Sequence, residues 1–143
     1  MRVPSSFRDP SGSIIAKDGV IFRQVNFAYQ EKYDFLVDSG LYDDLVDSEL
    51  LVRHEEVQLD RISAPNVYKI LQPEPIPFIS YPYEWCFSQL KNAALTTLAI
   101  QKKALEFRMT LKDASAFNIQ FFKGNPILID TLSFEMYREG EPW

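Results

Sequence analysis

Prolines at 73, 75, 77 and 82 fence off a run from about Tyr83 to Arg108 that contains neither proline nor glycine. Proline lacks the N–H that an interior helical position donates, and its ring strikes the preceding turn, so a helix is barred upstream and permitted downstream. Within the run Phe87, Leu90, Ala94, Leu98 and Leu105 recur at helical spacing, while Lys91, Lys102 and Lys103 suit a solvated face. The pattern predicts one long helix over about 83–108, buried along its Phe87–Leu105 stripe. Such a helix needs other elements to pack on, and that requirement organises the rest of the chain.

Upstream, Ile14-Ile15-Ala16 and Val20 to Val25 flank Lys17-Asp18-Gly19, a hairpin signal because Asp-Gly tolerates the positive φ of a tight turn. Residues 1–13, with Pro4, Pro10 and Gly12, read as a loop or arm. From Phe27 to Val52, Tyr29, Tyr33, Leu36 and Val37 fall at helical spacing, and after Gly40 the spacing resumes at Leu41, Leu45 and Val46, which predicts two short helices. Glu55 to Asp60 fits a short strand or a loop. Val67 to Leu71 reads as a strand and Ile76 to Tyr81 as a second extended piece, with the prolines favouring an edge or connector. Beyond the long helix, Asn118 to Phe122 and Pro126 to Asp130 flank Lys123-Gly124-Asn125 as a C-terminal β-hairpin. The fold class expected is α+β: a small antiparallel sheet, one long helix and a terminal hairpin, in a single domain over 1–143.

Composition bounds the function. A length of 143 residues fits one ordinary domain, and 46% hydrophobic with 14% aromatic residues argues for a packed core. A net charge of −5 disfavours nucleic acid and anionic membrane as partners. The single cysteine, Cys86, permits no internal disulfide and is expected as a buried structural thiol; no run approaches the ~20 apolar residues of a membrane span. The expected location is the cytoplasm. His54, with no second His or Cys at ligand spacing, is expected at the surface, and Phe78, Tyr81, Tyr83, Trp85 and Phe87 are expected to pack in the core and connector.

The order of parts after the long helix has chemical content. A loop holds Lys112-Asp113, Asn118 lies five residues beyond, and an apolar strand ends in Asp130. Phosphoryl transfer needs a carboxylate to orient the attacking hydroxyl and further oxygen ligands to hold Mg²⁺ against the phosphates. The same three side chains can instead close local turns by bonding backbone donors. Leu111 to Asn118 resembles the catalytic loop of protein kinases and aminoglycoside-type phosphotransferases, and Ile127 to Asp130 resembles their metal-binding strand. That resemblance implies a kinase-like fold, Asp113 as base, Asn118 and Asp130 as metal ligands, and Mg²⁺ with ATP as cofactors. It also asks for a basic contact to the phosphates, for which Arg23 and Lys69 are the candidates, and it places Ile79 to Trp85 at the connector whose backbone pairs with adenine.

The chain as a whole resembles the amino-terminal region of a bacterial family of S-adenosylmethionine-dependent methyltransferases, some linked to nodulation. The resemblance is carried by Ser6 to Gly12, Phe22 to Asn26, Pro77 to Trp85, Leu111 to Asn118 and Ile129 to Glu135. It implies that the methyltransferase domain lies further along the chain in relatives. The five glycines, at 12, 19, 40, 124 and 140, never cluster into the turn that lets backbone approach a nucleotide cofactor, so S-adenosylmethionine is not expected on this chain alone. No Gly-x₄-Gly-Lys-Ser/Thr occurs either. Three functions follow as expectations: an accessory domain that binds substrate, nucleotide or a methyltransferase module; an Mg-dependent phosphotransferase acting on a small hydroxyl-bearing molecule; or a protein-interaction domain without catalysis.

Overall fold

A computed structural model describes residues 9–59 and 65–143 and has mixed α and β structure, which is the expected α+β class. The chain divides into two compact units: residues up to Asp34 with Arg53–Pro75, and Phe35–Val52 with Ile76–Trp143.

The first unit is built on a sheet of four antiparallel strands. These are β1 (Gly12–Lys17), β2 (Val20–Asn26), β3 (His54–Val57) and β4 (Val67–Pro73), in the order β1-β2-β4-β3. The β1–β2 hairpin turns at Asp18 and Gly19, both with positive φ, as the Asp-Gly pair requires. Residues 1–8 of the expected arm lie outside the described residues, whereas Gly12 and Ser13 already belong to β1. Of the stretch Glu55 to Asp60, residues up to Val57 belong to β3 and Asp60 lies outside the described residues; β3 lies at the sheet edge, where charged side chains discourage further pairing. β4 is interior, and its proline stands at the last position, where a missing donor costs least. A register shift between Val25 and Asn26 breaks the alternation of β2, so Gln24, Val25 and Asn26 are all buried. Among the described residues, Phe22, Val25, Tyr29, Tyr33, Ile70 and Leu71 are the buried apolar residues of this unit.

Helix α1 (Gln30–Asp38) carries the chain into the second unit, and Gly40, at φ 87, lets it turn directly into α2 (Leu41–Asp47). Helix α3 (Phe87–Glu106) follows; the Cys86 N–H donates to Gln89 Oε1 at 3.0 Å and caps its start. Strands β5 (Met109–Leu111) and β8 (Phe134–Met136) pair with each other, and β6 (Ile119–Phe122) pairs with β7 (Asn125–Leu128) in the expected terminal hairpin. Leu36, Leu41, Leu45, Ile100, Met109 and Phe134, none of them exposed, form the centre of one apolar cluster. Lys103 on α3 reaches Asp44 on α2 at 2.6 Å.

Two expectations fail here. Ile76 to Tyr81 forms no strand. Instead Ser80 is held by one side chain: Gln120 Oε1 accepts its N–H and Gln120 Nε2 donates to its carbonyl, both at 2.9 Å. The second failure concerns α3. Its buried residues are Ala93, Ile100, Gln101 and Ala104, and the predicted stripe of Phe87, Leu90, Ala94, Leu98 and Leu105 is exposed. Periodicity locates an apolar stripe without saying what lies against it, and here the two alanines offer the smoother face for close packing. Gln101 earns its buried place through hydrogen bonds: its Oε1 accepts from Leu111 N and its Nε2 donates to Thr110 Oγ1. No helix among the described residues is long and apolar enough to cross a membrane.

Candidate functional site

In the second unit the three residues of the kinase-like reading lie on segments tied by backbone bonds. Asp113 follows β5, Asn118 immediately precedes β6, and Asp130 lies just beyond β7. Lys112 N donates to Ser133 O at 2.8 Å and Ile129 N donates to Asn118 O at 2.9 Å. The first bond joins the Asp113 loop to the turn after Asp130, and the second joins Asn118 to the residue before Asp130.

Both carboxylates also close their own turns. Asp113 Oδ1 accepts from Ser115 N at 3.0 Å and Asp130 Oδ1 accepts from Leu132 N at 3.1 Å, the local turn geometry that the alternative reading anticipates. Two side-chain atoms beside the tying bonds behave differently: Asn118 Nδ2 and Ser133 Oγ are buried without a hydrogen-bond partner. A buried polar atom in that state is costly unless a water, ion or ligand meets it. Among the described residues no group of three His, Cys, Asp or Glu is placed to hold a metal, and this trio contributes only two such side chains.

The two basic candidates lie in the first unit, and each has an acidic neighbour. Arg23 on β2 pairs with Asp9 at 3.1 Å, and Lys69 on β4 bonds Glu56 on the adjacent β3. The Glu56 bond raises the Lys69 pKa.

Lys69 belongs to a polar network that sequence reading missed. Tyr33 on α1, only 2% exposed, donates its hydroxyl hydrogen to Glu56 Oε1 at 2.9 Å and meets His54 Nε2 at 3.0 Å. That single hydrogen goes to the carboxylate, so His54 reaches the phenolic oxygen as a donor, through a protonated Nε2 of a neutral ring. Burial lowers the His54 pKa to about 4, against the opposing pull of Glu56. His54 is therefore a partly buried, neutral residue and not the surface residue expected. Burial pushes the Glu56 carboxyl up, yet its bonds from Lys69 and Tyr33 outweigh this and leave it below the ordinary value. Tyr68 donates to Asp34 at 2.7 Å beside the same network. The one available signal was strand alternation, which puts His54 and Glu56 on the same face of β3.

In the connector Ile79 to Trp85 several backbone groups have partners within the chain. Besides Ser80, whose N–H and carbonyl go to Gln120, the Tyr81 N–H donates to Glu84 Oε2, Glu84 N to Tyr81 O, and Trp85 N to Pro82 O. These backbone groups are spent within the protein. Of the five aromatics expected inside, only Trp85 is buried, edge-on to Phe121; Phe78, Tyr81, Tyr83 and Phe87 are exposed, with Tyr81 and Tyr83 stacked at 5.4 Å. Cys86 is exposed as well, because it stands at the cap of α3 and not within it.

These aromatics continue into the outer face of α3, where Phe87 is 80% exposed, Leu98 53% and Leu105 43%. Scattered apolar residues are ordinary on a protein surface, but a contiguous stripe marks a place where something else binds.

The chain matches no protein-family model. It is 36% identical over 144 residues to the nodulation protein NoeA of Rhizobium meliloti (strain 1021), a match covering 99% of this chain and 30% of that relative. The chain thus spans under a third of the length of the curated relative it matches.

Proposed function

We propose that this chain is an accessory domain of a longer, NoeA-like protein, kinase-like in the order of its parts, which docks to another portion of that protein and performs no methyl transfer itself. The observation that carries the reading is the exposed apolar stripe of α3, a surface with the character of a core face and no core against it. Its similarity to NoeA, a protein more than three times its span, supports a larger polypeptide as the setting and a role connected with nodulation. The scattered glycines support the absence of methyl transfer.

Thiol accessibility tests the docking. In whole NoeA, cysteine placed at the position aligned with Leu98 should react with a maleimide far more slowly than Leu98→Cys in this chain alone, read by mass spectrometry of the labelled peptide. Equal rates would overturn the reading. S-adenosylmethionine titrated calorimetrically into this chain should release no binding heat, and micromolar affinity would contradict the assignment.

A second reading, an Mg-dependent phosphotransferase using Asp113, Asn118 and Asp130, draws support from the two backbone bonds that tie the Asp113 loop, Asn118 and the turn after Asp130 together. It requires Mg-ATP to raise the melting temperature and Asp130→Ala to cancel the rise. An unchanged melting temperature at millimolar Mg-ATP removes it.

A further inference from the structure

Resting on the docking reading, we propose that the occupant of the outer face of α3 is a single amphipathic helix from elsewhere in the longer polypeptide, with carboxylates flanking its apolar stripe. The shape of the face comes first. At ~100° per residue, Phe87, Ala94, Leu98 and Leu105 fall within about 40° of one another, and the rise per residue sets Phe87 and Leu105 about 27 Å apart. With Leu90 and Leu95, also exposed, on either side of this line, the face is long and straight and matches the ridge of another helix better than a sheet or an open loop.

Charge selects the flanks. Lys91 and Lys102 are exposed along one side of the stripe, and neither has an ion-pair partner among the described residues; the third lysine of the helix, Lys103, is already bonded to Asp44. Two uncommitted ammonium groups beside an apolar ridge favour carboxylates opposite and oppose a lysine-flanked partner. They stand eleven residues apart in sequence, so the complementary acids belong about three turns apart on the partner, or ~16 Å. A second copy fits less well, since each copy brings the same lysines to the face and a net charge of −5. The NoeA match leaves 70% of that relative outside the aligned region (100% − 30%), ample length to supply a helix.

The test uses this chain and two synthetic helices of about 18 residues with one leucine stripe: one carries glutamates three turns apart beside the stripe, the other lysines at the same positions. The acidic helix should bind roughly tenfold more tightly than the basic one, an advantage that shrinks with salt and disappears in Lys91→Glu/Lys102→Glu. Leu98→Asp should abolish binding of both. If the two helices bind alike and Leu98→Asp abolishes both, the acid-flanked partner is wrong while docking at this face stands. If binding of the helices is indifferent to Leu98→Asp, docking at α3 fails as well. Absence of binding by either helix overturns the inference, as does concentration-dependent self-association in sedimentation that Leu98→Asp removes, which would make a second copy the occupant.

Discussion

The two units depart from the usual partition of residues in opposite directions. In the first, ionisable groups reach from the interior to the surface: buried Tyr33, half-buried His54 and the more exposed Glu56 and Lys69 join strands β3 and β4 to α1 through hydrogen bonds. In the second, the outside of α3 carries phenylalanine and leucines over four to five turns. The first departure is explained inside the unit, because burying a polar group is tolerable once its hydrogen bonds are made. The second finds no such resolution, because nothing within the unit covers these side chains. That contrast separates a feature that holds a domain together from one that faces outward to a partner.

Substitutions can break this contrast from either side. The largest expected effect belongs to the apolar cluster of the second unit, where Leu45 is fully buried. Leu45→Ala should cost about 2–5 kcal/mol in urea denaturation, through lost transfer energy and the cavity left behind. A loss below about 1 kcal/mol would mean that the cluster is not the core of the unit.

Next comes acid sensitivity in the first unit. The unfolded His54 takes up a proton near its ordinary value of 6.5, while the folded one resists until about 4. Between those values the unfolded state binds more protons, so stability is fully present above 6.5 and declines as the pH falls toward 4, by up to about 1.4 kcal/mol per pH unit. The lowered Glu56 pKa acts with the same sign at lower pH. Denaturation followed between pH 7 and 4 should show this slope, and His54→Gln should flatten it; a slope unchanged by that substitution would remove His54 from the explanation. Tyr33→Phe, which leaves the ring and withdraws the hydroxyl, should cost about 0.5–1.5 kcal/mol at neutral pH, because it removes hydrogen bonds to the half-buried His54 and to Glu56, which water can still reach. Its effect should be smaller in a His54→Gln background, and strict additivity would show that the network is not coupled.

The same contrast explains what was legible in the sequence. Turn chemistry was: Asp18-Gly19 and Lys123-Gly124 both set positive φ where a hairpin closes, and Gly40 divides α1 from α2. These are local requirements, settled by neighbouring residues. The presence of α3 was legible for the same reason, although it begins at Phe87 and not near Tyr83; its inner face was not. The apolar residues at 87, 90, 94, 98 and 105 obey helical spacing whether they meet a core of their own or an external partner, and the buried face is formed by two alanines, an isoleucine and a glutamine. The polar network escaped because its bonded partners lie far apart in sequence, Tyr33 and Glu56 by 23 residues, and only the fold brings them together. In the candidate loop, the order Asp113, Asn118, Asp130 was readable, as was the alternative that the carboxylates cap turns. The unpartnered Asn118 amide depends on what surrounds it and leaves no mark in the sequence.

The smallest expected effect is also the most direct test of the view that the outer face of α3 lies outside the core. Leu98→Asp places a charge in the middle of the stripe, and its free energy of unfolding should stay within about 0.5 kcal/mol of the parent, as for other exposed positions. A loss of several kcal/mol, the response of a buried apolar site, would show that this face is already packed in the folded chain and would contradict its assignment as a docking surface.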